Sequence, residues 1–356
     1  MKTKLFKNAF IACLSLAMCA SAFISCDKDE TFTPADTTKL AALIDSCQTL
    51  SDEATTTDYP QAAITAFDAV LATAKTAILN TKITQTAVDN LVVQLRAARA
   101  TFLAAAFDAI PPSALLMGLS FDEGTGTQLT AAGKNWTAVL TAGPSQIFGT
   151  GTSLPSFVTG KVGKAMYFRN GSHLEVNNYT ASDLLSKTLS IAVWVYPDST
   201  RENNYLLSYN YWNTWKFQLQ LQNKPFFTAK TLAGYTDADD QLDFSAPNKE
   251  WTHLVLSMNL TTGNLVFYVN GQKQMEWTSV TKPNFTGSFS TYTTVLPLMV
   301  GAGFTYAEGM AVMGTESWWQ TKQAFPHYAG LMDELKLYNI ALTDGQVSKL
   351  YNDENK

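Results

Sequence analysis

The sequence changes its grammar at Pro111-Pro112, and no other feature constrains the fold as much. Consecutive prolines cannot continue a helix, because each lacks an amide proton and its ring clashes with the preceding turn. Upstream, residues 36–110 are rich in Ala, Thr and Leu and poor in Gly. Downstream, residues 113–352 are short β-branched and aromatic runs broken by Gly, Asn and Asp. At roughly 150 residues per domain, a 356-residue chain has room for two units, a small helical one and a large β one.

The upstream unit reads as three helices. Asp36 or Thr37 caps the first, which runs to about Ala54 with Leu40, Leu43, Ile44, Cys47 and Leu50 on one stripe. Pro60 suits the first turn of the second, whose apolar face is Ile64, Phe67, Leu71, Ala74 and Ile78. Thr84 caps the third, with Val88, Leu91, Val92, Leu95, Ala98 and Phe102 inward. Short joints between them predict an antiparallel three-helix bundle. Cys47 lies on the apolar stripe and reads as a small core residue. No inward carboxylate pair or His suggests chemistry, so the unit reads as a stalk or a partner-contact module. The pattern is loosely similar to the helical spacer modules of the FIVAR type in bacterial surface proteins.

Downstream, the clearest strands are Ala114 to Phe121, Ala165 to Phe168, His173 to Val176, Thr188 to Tyr196, Trp215 to Leu221, Trp251 to Asn259, Leu265 to Asn270, Leu296 to Gly301 and Gly330 to Tyr338. Thr261-Thr262-Gly263-Asn264 and Asn270-Gly271 mark hairpin turns. In the strand from Thr188, Ile191, Val193 and Val195 alternate with Ala192, Trp194 and Tyr196. Every position is apolar, which predicts a central strand covered on both faces. Many strands without intervening helices imply an antiparallel sandwich or jelly roll.

Six segments carry a family resemblance, in order: Leu115 to Gly124; Gly163-Lys164-Ala165 to Phe168 with His173 to Val176; Leu189 to Pro197; Trp251-Thr252-His253 to Leu256; Phe267 to Gly271; and Gly330 to Asn339 with Ala341-Leu342-Thr343. Together they resemble the laminin G-like, concanavalin A-like jelly rolls. The resemblance implies a two-sheet sandwich used for carbohydrate binding or adhesion. Fold alone does not settle function. It also implies that a structural Ca²⁺ can pin the chain ends, drawing here on Asp122 and Asp333 with backbone carbonyls. The family often has an Asp after the Phe of the second hallmark, where this chain has Arg169.

The first thirty residues read as an address. Lys2, Lys4 and Lys7 precede the apolar run Ala9 to Ala22, which is too short to cross a bilayer as a helix but fits a secretory h-region. Phe23-Ile24-Ser25-Cys26 then resembles a bacterial lipobox. That reading makes residues 1–25 a signal peptide, Cys26 the lipidated N-terminus and residues 26–35 a tether. Cleavage after Ala20-Ser21-Ala22 is the alternative. Asp27-Lys28-Asp29-Glu30 resembles the surface-export signal of Bacteroidetes lipoproteins, or simply keeps the tether solvated. The expectation is an outer-membrane, lipid-anchored, cell-surface protein. Of four cysteines, Cys13, Cys19 and Cys26 belong to this segment and Cys47 to the bundle, so no disulfide framework holds the fold.

Charge excludes one partner. The net charge is -5, with no basic stripe, so nucleic acid is not expected. For the ligand site, two aromatic stretches stand out. Tyr209-Asn210-Tyr211-Trp212-Asn213-Thr214-Trp215 spans a turn, and rings beside amides suit sugar recognition. The strand after it places Phe217, Leu219 and Leu221 on one face and Lys216, Gln218, Gln220 and Gln222 on the other, a polar ladder that either lines a sugar groove or is plain solvated surface. Gly303 to His327, with Phe304, Tyr306, Trp318, Trp319 and Phe325, is a long loop that packs on the sandwich or binds. Trp194 and Trp251 read as core, and His253 as structural.

No catalytic set emerges. The glycosidases of this fold carry a Glu-x-Asp-x-(x)-Glu strand motif that is lacking here, and Asp237, Asp239, Asp240 and Asp243 read as a solvated loop. The sequence thus points to non-catalytic binding of an extracellular glycan. A surface-protein partner stands as the alternative, and an unrecognised glycoside hydrolase as the third reading.

Overall fold

The computed structural model describes residues 33–56, 58–293, 295–316 and 318–355. The signal, Cys26 and most of the tether lie outside the described residues. Among the described residues no helix is long and apolar enough to cross a membrane.

The first unit has helices α1 (Thr38–Glu53), α2 (Gln61–Ala77) and α3 (Gln85–Ala104). Thr84 caps α3 by accepting the Ala87 amide at 3.3 Å, while Asp36 rather than Thr37 serves α1, its carboxylate accepting the Thr38 amide at 2.9 Å. The three stripes meet as read from the sequence: Leu40, Ile44, Cys47, Phe67, Leu71, Ala74, Val88, Leu95 and Phe102 form the buried core. The Phe102 ring stacks on Phe67 at 4.6 Å and on Tyr59 at 4.1 Å.

The second unit is a two-sheet antiparallel sandwich. Its strands are β1 (Leu115–Leu119), β2 (Gln128–Thr130), β3 (Ala132–Gly133), β4 (Thr137–Thr141), β5 (Ser156–Thr159), β6 (Lys164–Phe168), β7 (His173–Asn177), β8 (Thr188–Pro197) and β9 (Asn204–Tyr209). They continue as β10 (Trp215–Gln220), β11 (Lys224–Thr231), β12 (Gly234–Asp239), β13 (Thr252–Asn259), β14 (Asn264–Val269), β15 (Gln272–Trp277), β16 (Leu298–Val300) and β17 (Gly330–Tyr338). Four helices are interspersed: α4 (Ser145–Phe148), α5 (Ala181–Leu184), α6 (Tyr306–Met313) and α7 (Asp344–Glu354).

The first sheet runs β15-β14-β13-β8-β17-β1-β3, with β6 joining β17 and β5 joining β6. The second runs β12-β11-β10-β9-β16-β7-β4-β2. As its pattern requires, β8 is central. Ile191, Val193 and Val195 enter the inter-sheet core, whereas Ala192 lies under α7 with Val255, Tyr268, Val347 and Leu350. Trp194 is also on this outer side, donating its indole N–H to Glu354 at 2.8 Å and stacking on Tyr351. His253 is fully buried beside it, a structural residue as expected. Trp251 departs from expectation: it precedes β13 and is only half-buried, against Tyr196.

β17 holds a fork. It pairs with β6 through Gly330–Met332 and with β1 through Leu335–Tyr338, and Glu334 bulges between them at φ 48°. The bundle docks by α7: Lys349 pairs with Asp58 at 3.0 Å and Asn352 donates to the Thr56 carbonyl at 2.8 Å.

Candidate functional site

The outer face of the second sheet is built by register. Ser208 on β9, Lys216 on β10, Thr228 on β11 and Asp237 on β12 face one another directly across four strands. The neighbouring row is Tyr205, Gln218, Phe226 and Asp239. Their partners in alternation, Leu207, Phe217, Leu219, Phe227, Ala229 and Ala238, fill the core, which is why the second set must face out. Between the rows and the 210–214 turn opens a pocket of about 460 Å³ lined by Trp212, Lys216, Gln220, Phe226, Thr228, Tyr235 and Asp237.

Lys216 is the floor. It is 7% exposed, with its ammonium 4.8 Å from the Tyr205 ring centre and 5.5 Å from that of Phe226. It donates to Gln218 Oε1 at 2.6 Å. Burial pushes its pKa down to about 8, against a smaller opposing pull from Asp237. The rim is solvated. Asp237 is exposed and accepts the Thr228 hydroxyl at 2.6 Å, and the Tyr235 hydroxyl donates to Asn213 at 3.1 Å while the Lys230 ammonium sits 3.8 Å over its ring.

The aromatic wall comes from two loops. Asn210 and Tyr211 both take positive φ, 56° and 57°, a turn that folds Tyr211 inward and leaves Trp212 half-buried at the pocket. Trp318, 43% exposed, lies beside it with ring centres 5.9 Å apart and planes within 12°. Behind them the 303–327 loop is packed. Phe304, Trp319 and Phe325 are buried with Tyr205, Tyr211 and Leu296, and α6 is fixed by a capping box between Thr305 and Glu308.

Several sequence candidates are therefore corrected. Tyr209 and Trp215 belong to the inter-sheet core, where the Trp215 indole donates to the Leu184 carbonyl at 2.8 Å. Tyr211 and Trp319 are buried under the loop, and no sugar can reach them. Gln218 is fully buried, held by the Glu202 carbonyl at 3.2 Å, and serves to position Lys216. Tyr306 is half-buried, its ring against Trp319. The polar ladder ends at Gln220, because β10 stops there: Leu221 is exposed and Gln222 turns at φ 63°. Trp212, Trp318 and Gln220 remain at the site.

The acidic run is a solvated loop only at Asp243, which is exposed and pairs with Lys224 at 2.7 Å. Asp237 and Asp239 lie on β12, and Asp240 is buried against the Ser245 hydroxyl. Phe226, Thr228, Tyr235 and Asp237 were missed as site residues. The period-two alternation of 224–231 and 234–239 around the two-residue turn Leu232-Ala233 is the signal that could have found them.

Asp122 and Asp333 are brought to one place, but as clamps on backbone. Where β1 and β6 diverge from β17, Asp122 accepts the Lys164 amide at 2.8 Å, and Asp333 accepts the Val162 and Glu334 amides at 2.9 and 2.8 Å. Burial, more than the nearby Glu334 charge, pushes Asp333 up to about 7. Calcium needs about six to eight oxygen ligands. Among the described residues no group of three or more His, Cys, Asp or Glu is placed to hold a metal. Both carboxylates are taken up by backbone amides at the fork as it stands.

Fold and site together define a two-sheet lectin-like sandwich with an open pocket on one outer face. The chain belongs to the Laminin_G_3 family of the concanavalin A-like lectin/glucanases superfamily, whose model matches residues 168–348. No curated protein matches it. Among solved structures it is similar to domain 4 of AbnA, a GH43 extracellular arabinanase from Geobacillus stearothermophilus in complex with arabinotriose, at 20% identity and TM-score 0.47, covering 68% of this chain and 100% of that one. It is also similar to the binding domain of Paraclostridial Mosquitocidal Protein 1, at 15% identity and TM-score 0.46, covering 67% of this chain and 52% of that one. A third is the receptor-binding domain of botulinum neurotoxin mosaic serotype C/D, at 12% identity and TM-score 0.45, covering 68% and 51%.

Proposed function

We propose that this protein is a non-catalytic cell-surface lipoprotein that binds extracellular carbohydrate in the pocket on the outer face of its second sheet. The observation that carries the reading is the pairing of two stacked indoles, the half-buried Trp212 and the exposed Trp318, with hydrogen-bonding groups from Lys216, Gln220, Thr228 and Asp237. Rings cover the C–H faces of a sugar while the polar groups meet its hydroxyls. Membership of a lectin and glucanase superfamily agrees with it. Asp237 is the one carboxylate lining the pocket among the described residues, whereas glycoside hydrolysis uses two, and this supports binding without cleavage. Lipid attachment at Cys26 and outer-membrane placement rest on the leader sequence.

A protein partner has one observation in its favour. Leu221, Leu242 and Phe244 are exposed near one another at the β10–β11 end, where the Phe244 amide donates to the Gln222 carbonyl at 2.7 Å. Titrating the protein with a broad glycan panel, following tryptophan fluorescence and reducing-sugar release together, separates the readings. Saturable quenching without release supports the proposal. Released sugar makes the protein a hydrolase, and silence across the panel moves the assignment to a protein partner.

A further inference from the structure

Three cations largely withdrawn from solvent can be compared, and only Lys216 is fully buried. Lys336 is enclosed with two carboxylates, Glu334 and Glu354. The Arg201 guanidinium donates to the carbonyls of Lys322 and Gln323 at 3.0 and 3.1 Å and reaches His327. Lys216 is more deeply placed than either, yet has a single hydrogen-bond acceptor, Gln218 Oε1, and two aromatic faces. Among the described residues no carboxylate stands within ion-pairing distance of it, and it alone of the three lines the open pocket. A buried charge without a counter-charge is costly, so a group that supplies one on entering the pocket is favoured twice, by its own contact and by relief of that cost.

From this cation we infer, building on the carbohydrate reading above, that the sugar bound in the pocket carries an anionic group, a carboxylate or a sulfate ester, which is received by the Lys216 ammonium. Two of the three N–H bonds are left for it once Gln218 is served. Asp237 is the opposing charge. It lies on the same row two strands away and lines the same pocket, but it is exposed to solvent and tied to Thr228, so its repulsion of an anion is screened more than the attraction at the buried floor. Of the other titratable groups facing the site, Tyr205 is held neutral by complete burial, and Lys230 is drawn over the ring of Tyr235, itself exposed at the rim. The arrangement selects for one negative charge at depth and for neutral hydroxyls at the rim.

The test is a glycan array carrying neutral oligosaccharides beside galacturonate, glucuronate, sialylated and sulfated ones, probed with the full-length protein at pH 7 and physiological salt. Acidic glycans are expected to bind about 10- to 100-fold tighter than their neutral counterparts, the worth of a hydrogen bond to a charged group. The preference is lost in Lys216→Met and enhanced in Asp237→Asn. Affinity for the acidic probe falls as pH rises above about 8, where the ammonium gives up its proton, and is flat with pH in Lys216→Met. The uronate and sulfate arms say which anion is read. Binding confined to neutral sugars, or acidic binding that survives Lys216→Met, overturns the inference while leaving the carbohydrate reading intact. An array with no bound glycan of either kind overturns both. Thermal melts show that each variant is folded.

Discussion

The indole of Trp318 lies parallel to that of Trp212, their centres 5.9 Å apart, although one residue belongs to the β9–β10 turn and the other to a loop more than a hundred positions later. The two are neighbours because the adjacent Trp319 is buried against Phe304 and Phe325 and fixes the loop that carries Trp318. Trp212→Ala and Trp318→Ala should each weaken glycan binding by about 0.5–1.5 kcal/mol, the worth of a ring contact, with little change in melting temperature. Trp319→Ala should instead cost roughly 3–5 kcal/mol of stability. Isothermal titration beside thermal melts checks both, and a stability loss for Trp318→Ala as large as that for Trp319→Ala would contradict the division.

Lys216 predicts an unusual pH response of stability. Burial takes its pKa from an ordinary 10.5 down to about 8 on folding, so the unfolded chain binds the proton more tightly between those values. Stability therefore rises with pH across that window as the penalty is relieved. Lys216→Met should be more stable than wild type at pH 7, by roughly 1–3 kcal/mol, since a buried charge is replaced by an apolar chain. The gap should close as pH rises past about 8, read as urea midpoints. A gap that does not change with pH would mean that the ammonium is not the cause.

The clamp at the strand fork is open to mutation from both sides. Gly163 sits at φ 53° with a Cβ position that would collide with the Asp122 carboxylate, so Gly163→Ala should lose roughly 1–3 kcal/mol. Asp333→Ala strands the Val162 and Glu334 amides and should cost a similar amount, roughly 1–3 kcal/mol. Because Asp333 is raised from 3.8 to about 7, its neutral form is the one the fold prefers. The advantage of wild type over Asp333→Ala is full below the lower value and shrinks as pH rises through the upper one. Denaturant midpoints measured across that range test the sign.

Since the carboxylates of Asp122 and Asp333 are already engaged with backbone amides, chelation should do little. EDTA treatment followed by melting, with and without added Ca²⁺, is expected to give superimposable curves. A rise of several degrees on adding Ca²⁺ would restore the ion to this fork.

Much of the fold was legible because its signals are local. The all-apolar alternation of β8 announces a strand covered on both faces, and the stripes through Leu40, Phe67 and Leu95 announce the bundle. The site was harder, because its rows run across strands. Lys216 meets Asp237 only through Thr228, a neighbour relation fixed by register. Tyr211 and Trp212 look equivalent in sequence, and a positive φ at Asn210 and Tyr211 sends one into the core and the other to the pocket. Position within an aromatic cluster says that rings gather, but the backbone turn decides which ring a ligand can reach.

The docking of the bundle has a further consequence. Its bonds run to α7, and α7 covers the outer face of the first sheet, whereas the pocket lies on the outer face of the second. Bundle and pocket are thus separated by the full thickness of the sandwich. A polymer seated at the pocket would therefore meet the loop that carries α6 and Trp318 long before it met the bundle, and it is that loop, not the bundle, that would limit its course across the sheet.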